Sequence, residues 1–298
     1  MYWNKSILRE WNYREICWWC GSAELSREHK YKKTDINLLY GSNFFQNDKL
    51  GLLRYRKSNE LIKIHGPDSD YFKFQKSLCQ NCNNARSAKM DSAYTKVIEF
   101  YLNNEQTIKG SKFIDFKMIF HDSWLEDKRN FYKYCLKHIG CRLVAANLSP
   151  SKNIVAFLND DEPLKDVKIV FQLKQYFVGD PGDEVFHLYT GPLNRFEERH
   201  LIIGKKITAA ASWYTLKQFS INYLYRLGIL HSDKDIFSSS LINLDFVDFK
   251  AIEGQQFQID SKEPQTSYGK LVEYMEYFPF NGVLQDLLHY QYLKGYKS

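Results

Sequence analysis

The chain has 298 residues, of which 44% are hydrophobic, and a formal net charge of +6 at pH 7. Its 21 Tyr, 21 Phe and 6 Trp residues indicate a well-filled core and exclude an intrinsically disordered chain. No apolar run approaches the ~18 residues of a transmembrane helix, and the N-terminus lacks the apolar core of a signal peptide. We therefore expect a cytoplasmic protein that has no membrane partner.

The positive charge is unevenly distributed along the chain. Residues 1–110 contain 18 Lys and Arg against 12 Asp and Glu, a net charge of +6, whereas residues 111–298 contain 23 of each. A local basic excess is typical of proteins that bind a phosphate backbone. It is equally typical of a solvated, lysine-rich surface, so this feature alone does not decide between the two.

The first hundred residues have the patterns of short strands and helices. Residues 15–25 fit a short strand and a tight turn, and strand candidates with alternating or apolar side chains lie at residues 61–65 and 72–78. Helix candidates lie at residues 36–40, which Gly41 ends, and from Cys82 to about Asn103. The polar residues 42–60 resemble an insertion between these elements.

Beyond residue 110 the chain mixes helical and strand patterns, which indicates an α+β fold. The helix candidates are residues 122–146 and 216–226, and the strand candidates are residues 167–178, 185–189 and 241–249. Residues 133–138 alternate charged and uncharged side chains, which fits an ordinary amphipathic face. The histidines of this part have no metal-ligand spacing. We divide the chain into a domain of residues 1–108 and a domain of residues 109–298.

Cysteine spacing is the most specific signal in the chain. Two C-x-x-C pairs share one spacing, and their members are Cys17, Cys20, Cys79 and Cys82. Each pair supplies two thiolates, so together they can complete a tetrahedral structural Zn²⁺ site. The alternative is two unrelated pairs in a core. Cys135 and Cys141 lie six residues apart on a predicted helix, and we expect both to be buried as small apolar side chains.

The order of these motifs resembles that of the zinc-stapled HNH endonucleases. The resemblance covers residues 14–100 and rests on three segments, Cys17-x2-Cys20-Gly21, Leu25-Ser26-Arg27-Glu28-His29 and Leu78-Cys79-x2-Cys82-Asn83. It implies an N-terminal zinc-bound ββα-metal, or treble-clef-like, domain. The larger C-terminal α+β domain lies outside the resemblance and has no recognised fold.

The same resemblance implies roles for individual residues. Glu28 and Asn83 would hold a catalytic Mg²⁺ or Mn²⁺ ion, which favours oxygen ligands, and His29 would be the general base. Arg86 stands where the family usually has a lysine and would bind a phosphate of the nucleic acid. The remaining candidates for nucleic-acid binding are Lys30, Lys32 and Lys33, which also fit a solvated run of charge.

One residue of the family pattern is missing. HNH enzymes usually carry an asparagine shortly before the second cysteine pair, and its side chain orients the general base. Residues 72–77 contain no asparagine, so Gln75 or a backbone carbonyl is left for this role. Asp91 lies two helical turns beyond Asn83, and we expect it to face solvent rather than to support the metal.

The sequence therefore predicts a metal-dependent HNH-type endonuclease that hydrolyses DNA phosphodiester bonds, with RNA as the alternative substrate. A role in restriction or phage defence would follow from that activity. Because the asparagine is missing, the alternative is a catalytically inactive zinc module that binds nucleic acid. For residues 109–298 we expect recognition, self-association or binding of a protein partner.

Overall fold

The computed structural model describes residues 15–41, 45, 52–55, 61–146, 148–160, 163–175, 193–195, 199–203, 206–226 and 236–248. Helices and strands are mixed within these residues, which confirms the α+β class. None of the helices in these ranges combines the length and the apolar character that a membrane span requires.

The N-terminal third contains four short strands and three α-helices among the described residues. Its elements are β1 (Leu25–Ser26), α1 (Lys33–Tyr40), β2 (Leu52–Tyr55), β3 (Leu61–Ile64), β4 (Leu78–Cys79), α2 (Gln80–Asn83) and α3 (Ala88–Asn103). Strand β1 pairs antiparallel with β4, with Leu25 opposite Cys79, and an isolated bridge between His29 and Lys73 extends this pairing. Strands β2 and β3 form a separate antiparallel pair.

A long buried helix follows. The elements of this part are α4 (Glu105–Ser111), β5 (Phe113–Asp115), α5 (Phe116–Phe120), α6 (Trp124–Ala145) and α7 (Lys152–Leu158). Helix α6 is buried at every position from 130 to 144, and it packs against α3, α5 and α7. Because α6 has apolar residues on all sides, it lies inside the molecule rather than on its surface.

The last described part is mainly a six-stranded sheet. Its strands are β6 (Val167–Gln175), β7 (Leu193–Arg195), β8 (Arg199–Ile203), β9 (Lys206–Leu216), β10 (Phe219–Arg226) and β12 (Asp245–Asp248). The order is β12-β6-β10-β9-β7, with β8 also paired to β9, and only β12 runs parallel to its neighbour. Strand β11 (Leu241–Asn243) pairs with β5 outside this sheet.

Several of the predicted elements are confirmed and one is wrong. The helices at 36–40 and 122–146 and the strand at 61–65 are present to within a few residues. Residues 219–226 form strand β10 rather than a helix, because their large apolar side chains alternate with small polar ones and pack with period two. The predicted strand 72–78 is reduced to a 3-10 turn, a bridge and β4.

Other predictions are interrupted, untested or outside the described residues. The predicted strand 241–249 is divided at Leu244 into β11 and β12, and the predicted helix from Cys82 is divided into α2 and α3. The predicted strand 185–189 lies outside the residues described here. The division into domains at residue 108 stays a prediction.

The first cysteine pair lies directly on helix α6. Trp18, between the two cysteines, is buried, and its ring fills the space beside Gly140 so closely that a Cβ atom there would lie 2.4 Å from the ring. Ser77 accepts a backbone hydrogen bond from Trp18 at 3.1 Å and directs its hydroxyl to the Cys141 sulfur at 3.6 Å. These contacts hold the cysteine pairs, strand β4 and α6 together around one core.

Candidate metal centre and the adjoining Glu28–His29 strand

The four predicted zinc ligands converge in the structure. The sulfur atoms of Cys17, Cys20, Cys79 and Cys82 all lie within 4.8 Å of one another, and the sulfurs of Cys20 and Cys79 are 3.5 Å apart. A tetrahedral Zn²⁺ with bonds of about 2.3 Å separates its sulfur ligands by about 3.8 Å. Among the described residues this is the one cluster of its kind, and its donor set fits zinc.

Backbone geometry explains how two distant pairs meet. The pairing of β1 with β4 sets Leu25 opposite Cys79, which brings the turn before β1 close to the second pair. In that turn Gly21 has φ +81° and donates its N–H to the Cys17 carbonyl at 2.8 Å, a conformation that glycine adopts without strain. In the second pair the Cys82 N–H points at the Cys79 sulfur at 3.4 Å.

A bound cation would have to change the protonation of the thiols. Burial raises the pKa of Cys17 and Cys82. Burial acts in the same direction on Cys79, but hydrogen bonds from the Cys82 backbone and from neighbouring thiols outweigh it and lower its pKa to about 7. Four thiolates at this distance would repel one another strongly, so a divalent cation is needed to hold all four as ligands.

Arg86 lies against the four-cysteine cluster. Its guanidinium is 4.6 Å from the centre of the Trp19 ring, and one of its nitrogens is 3.9 Å from the Cys82 sulfur. Arg86 and the Trp19 indole both donate to the Asn159 side-chain oxygen, at 2.6 and 2.9 Å. The arginine predicted to bind phosphate is therefore engaged in joining the cluster to the end of α7.

Glu28 and His29 point to opposite faces of their strand. Phe74 donates its N–H to the Glu28 carbonyl at 2.8 Å, and Lys30 donates to the Phe72 carbonyl at 2.5 Å. His29 itself is therefore opposite Lys73 as a non-hydrogen-bonded pair, in regular antiparallel geometry. No local bend brings the carboxylate and the imidazole to one point.

Glu28 faces inward, into a buried cluster of charges. The Lys137 ammonium lies 3.3 Å from a Glu28 carboxylate oxygen and 3.1 Å from each Asp91 carboxylate oxygen, and it donates to the Ser87 hydroxyl at 3.2 Å. Burial acts to lower the pKa of Lys137, but the two carboxylates outweigh it and raise that pKa. Asp91 thus joins this cluster instead of facing solvent, which corrects the prediction made for it.

The catalytic metal that the resemblance implies does not fit this arrangement. Glu28 already contacts the Lys137 ammonium, and a divalent ion beside that ammonium would be repelled. Asn83 donates through its side-chain nitrogen to the Arg27 carbonyl at 3.2 Å, which places it beside the Glu28–His29 strand. Its side-chain oxygen has no hydrogen-bond partner among the described residues, so Asn83 alone offers a ligand atom.

His29 faces outward and is partly exposed. Its side chain is 29% exposed, and its Nε2 atom lies 3.5 Å from a carboxylate oxygen of Asp68. Burial lowers the pKa of His29, and Lys73 lowers it further, whereas Asp68 opposes both effects. The imidazole is therefore mainly neutral at neutral pH, as a general base must be.

The three predicted DNA-binding lysines have different surroundings. Lys33 is exposed and pairs with Asp68 at 3.2 Å, the same carboxylate that lies beside His29. Lys30 is half-buried, donates to the Tyr71 carbonyl at 3.3 Å and has its ammonium 6.0 Å from the centre of the Phe74 ring. Lys32 turns inward, where its ammonium donates to the Asp91 carbonyl at 2.7 Å. Of the three lysines, Lys33 is therefore the one that is exposed beside the imidazole.

No family model, no curated protein and no solved structure matches the chain. The four-cysteine cluster is compatible with a zinc module, and the likeness to HNH enzymes rests on the sequence motifs alone.

Two residues of this region were not identified from the sequence. Lys137 and His138 are neighbours on α6, more than a hundred residues from Glu28 and His29, and each contacts one of that pair. All residues from 133 to 138 are buried, so the amphipathic face predicted there does not exist. One signal in the sequence indicated these contacts: the helix contains charged residues but has no polar face. Charged residues in such a helix require buried partners.

Proposed function

We propose that this chain is a zinc-stapled, HNH-type endonuclease that hydrolyses DNA phosphodiester bonds, with His29 as the general base. The observation that carries the proposal is the His29 imidazole, which is partly exposed and mainly neutral on a strand fixed by the four-cysteine cluster. Zn²⁺ would be held by the four cysteines and would stabilise the scaffold without taking part in the reaction.

The chemistry follows from the contacts of the imidazole. The Nε2 atom of His29 lies 3.5 Å from an Asp68 carboxylate oxygen and makes no hydrogen bond with the described residues. If the neutral ring carries its hydrogen on Nε2, its Nδ1 atom can accept a proton from an attacking water molecule. The resulting imidazolium lies beside Asp68, which stabilises its charge. Lys33, which pairs with the same Asp68, and Lys30, the residue after His29, would attract the phosphate backbone.

Mg²⁺ or Mn²⁺ belongs to the proposal as a cofactor to be tested. Asn83 has a free oxygen beside the strand, whereas Glu28 contacts Lys137, so no step of the reaction is assigned to the ion. A nuclease of this kind would serve restriction or phage defence, with residues 109–298 in recognition or self-association.

The test is cleavage of plasmid DNA by purified protein in Mg²⁺, in Mn²⁺ and in EDTA. Loss of a general base lowers a reaction rate by about 10²–10⁴-fold, so the cleavage rate of His29→Ala should be lower than that of the wild type by this factor. His65→Ala is the matched control, because His65 is an exposed histidine outside the site, and it should cleave like the wild type. Equal background nicking by the wild type and His29→Ala would refute the enzyme, and a single-stranded RNA substrate tests the alternative target.

The second candidate is a zinc module that binds nucleic acid without cleaving it. The pairing of Glu28 with Lys137 favours this candidate, because the Lys137 ammonium neutralises the Glu28 carboxylate that was expected to bind the catalytic metal. It predicts salt-dependent binding of DNA or RNA and no cleavage with any metal. Replacing Lys30 and Lys33 with alanine should weaken such binding and reduce its salt dependence, whereas metal-dependent cleavage would exclude this candidate.

A further inference from the structure

The backbone carbonyl of His29 needs a partner from outside its own strand pair. In a non-hydrogen-bonded antiparallel pair, the N–H and C=O groups of both residues point away from the partner strand. The neighbouring hydrogen bonds, from Phe74 to Glu28 and from Lys30 to Phe72, show that His29 and Lys73 form such a pair. A buried carbonyl without a partner would be costly, so the position of His29 depends on what occupies that side.

The partner of the His29 carbonyl is His138 of helix α6. Its Nε2 atom lies 2.7 Å from the His29 carbonyl oxygen, and the residue is 1% exposed. The ring is confined by three aromatic side chains, with Phe74 and Tyr134 at 5.3 Å and Tyr214 at 5.5 Å between centroids. An imidazole packed in this way has one available orientation, so it fixes the carbonyl that it contacts.

The direction of the hydrogen bond follows from the chemistry of both groups. A carbonyl oxygen only accepts, so Nε2 of His138 carries the hydrogen. Burial, together with the charges of Arg142 and Lys137, lowers the pKa of His138 well below its usual value, and the ring is neutral. A neutral ring with its hydrogen on Nε2 is a fixed donor that does not change with pH in the neutral range.

We infer that His138 is the positioning residue of His29: it holds the backbone of the general base from helix α6. Residues 72–77 contain no asparagine for this task, and Gln75 is exposed. The inference rests on the proposed function in one respect, namely that His29 is the general base. The hydrogen bond itself is a property of the fold and can be tested without any activity.

The test compares two substitutions of His138 that differ in one property. His138→Gln keeps an N–H donor at nearly the same reach, whereas His138→Phe keeps an aromatic ring and removes the donor. Displacement of a reacting group by about 1 Å can cost about 10²-fold in rate. We expect His138→Phe to lose between about ten-fold and a hundred-fold in kcat with KM within about two-fold of wild type, and His138→Gln to recover most of kcat.

A control variant separates this role from simple destabilisation. Cys135→Ala removes a buried side chain one turn earlier on α6 and contacts no part of His29 in the bonds described above. It should lower the melting temperature and leave kcat per folded molecule unchanged. All variants are assayed well below their melting temperatures.

An NMR measurement keeps the inference distinct from the proposed nuclease. The ¹³C shift of the His29 carbonyl and the titration of its imidazole are followed in wild type and in each variant. We expect His138→Phe to move both, and His138→Gln and Cys135→Ala to leave them near wild type. If His138→Phe leaves both unchanged, the inference is wrong, whether or not the protein cleaves DNA. If the wild type does not cleave but the NMR pattern holds, the proposed function fails and the hydrogen bond stands.

Discussion

At the scale of single residues, the molecule places the full charge of Lys137 in its interior and compensates it locally. Lys137 is 0% exposed, and its ammonium is surrounded by oxygens of Glu28, Asp91 and Ser87. Such a cluster contributes little net stability compared with an apolar core of the same shape, but removing one member leaves the others uncompensated. Single substitutions here should therefore have large effects.

Lys137→Met should destabilise the protein by about 3–5 kcal/mol, because it leaves two carboxylates without their ammonium. Urea unfolding at pH 7 measures the change. Lys89→Met is the control, since Lys89 forms an exposed pair with Glu126 on the surface, and it should have no measurable effect. Adding Glu28→Gln to Lys137→Met should restore part of the loss, and a double variant no more stable than the single one would contradict this account.

Asp35 gives a prediction about pH. Burial raises its pKa to about 7, while the Tyr94 hydroxyl donates to it at 2.9 Å and opposes the shift. The folded state therefore holds a proton that the unfolded state has released above pH ~4, and stability falls as pH rises from about 4 to 7. Asp35→Asn should remove this slope and make the protein more stable than wild type at pH 8 by a few kcal/mol. If urea unfolding gave wild type the same free energy of unfolding at pH 5 and at pH 8, the raised pKa of Asp35 would be contradicted.

At the scale of elements, helix α6 determines where the N-terminal elements lie. It supplies the partner of Glu28 through Lys137, the partner of the His29 carbonyl through His138, and the surface for Trp18 at Gly140. The absence of a side chain at Gly140 is needed for this, because the indole ring fills the space where a Cβ atom would be.

Gly140→Ala should destabilise the protein by about 1–3 kcal/mol, the usual cost of overpacking, although alanine is the better helix former. Gly110→Ala is the control: this glycine of α4 has open space around it, and the substitution should stabilise by up to about 1 kcal/mol. Trp18→Leu in combination with Gly140→Ala should relieve the overpacking. Equal effects of the two glycine substitutions would show that Trp18 does not pack on α6 in solution.

Some of these elements follow from local sequence and others from long-range packing. Local signals were sufficient for the C-x-x-C pairs, for the helix ending at Gly41 and for the outline of α6, because spacing and turn chemistry determine them. Residues 216–226 have a helical pattern, yet 219–226 form strand β10, because its pairing with β6 and β9 is a long-range property. The contacts of Lys137 and His138 could not be predicted for the same reason, since they depend on how α6 packs against a distant strand.

At the scale of the whole molecule, the four-cysteine cluster does more than close a local loop. It brings the first cysteine pair onto α6, joins β1 to β4, and through Arg86 and Asn159 reaches the end of α7. Binding of a metal that the unfolded chain does not hold is coupled to folding free energy. Loss of the metal should therefore lower the stability of more of the protein than the N-terminal third.

Cys79→Ser should lower bound zinc to below one ion per chain and should destabilise the whole protein, because Cys79 is one of the four predicted ligands and metal binding is coupled to folding. Metal content by elemental analysis and thermal melting measure the two effects, and chelation of the wild type should reproduce them. The matched control is Cys135→Ser, which alters a buried cysteine outside the cluster and should leave the zinc content at one. Because the cluster and α6 share one core, melting of Cys79→Ser should be a single shifted transition. Two separate transitions, with the later one unchanged, would instead show that α6 and the sheet are stable without the zinc cluster.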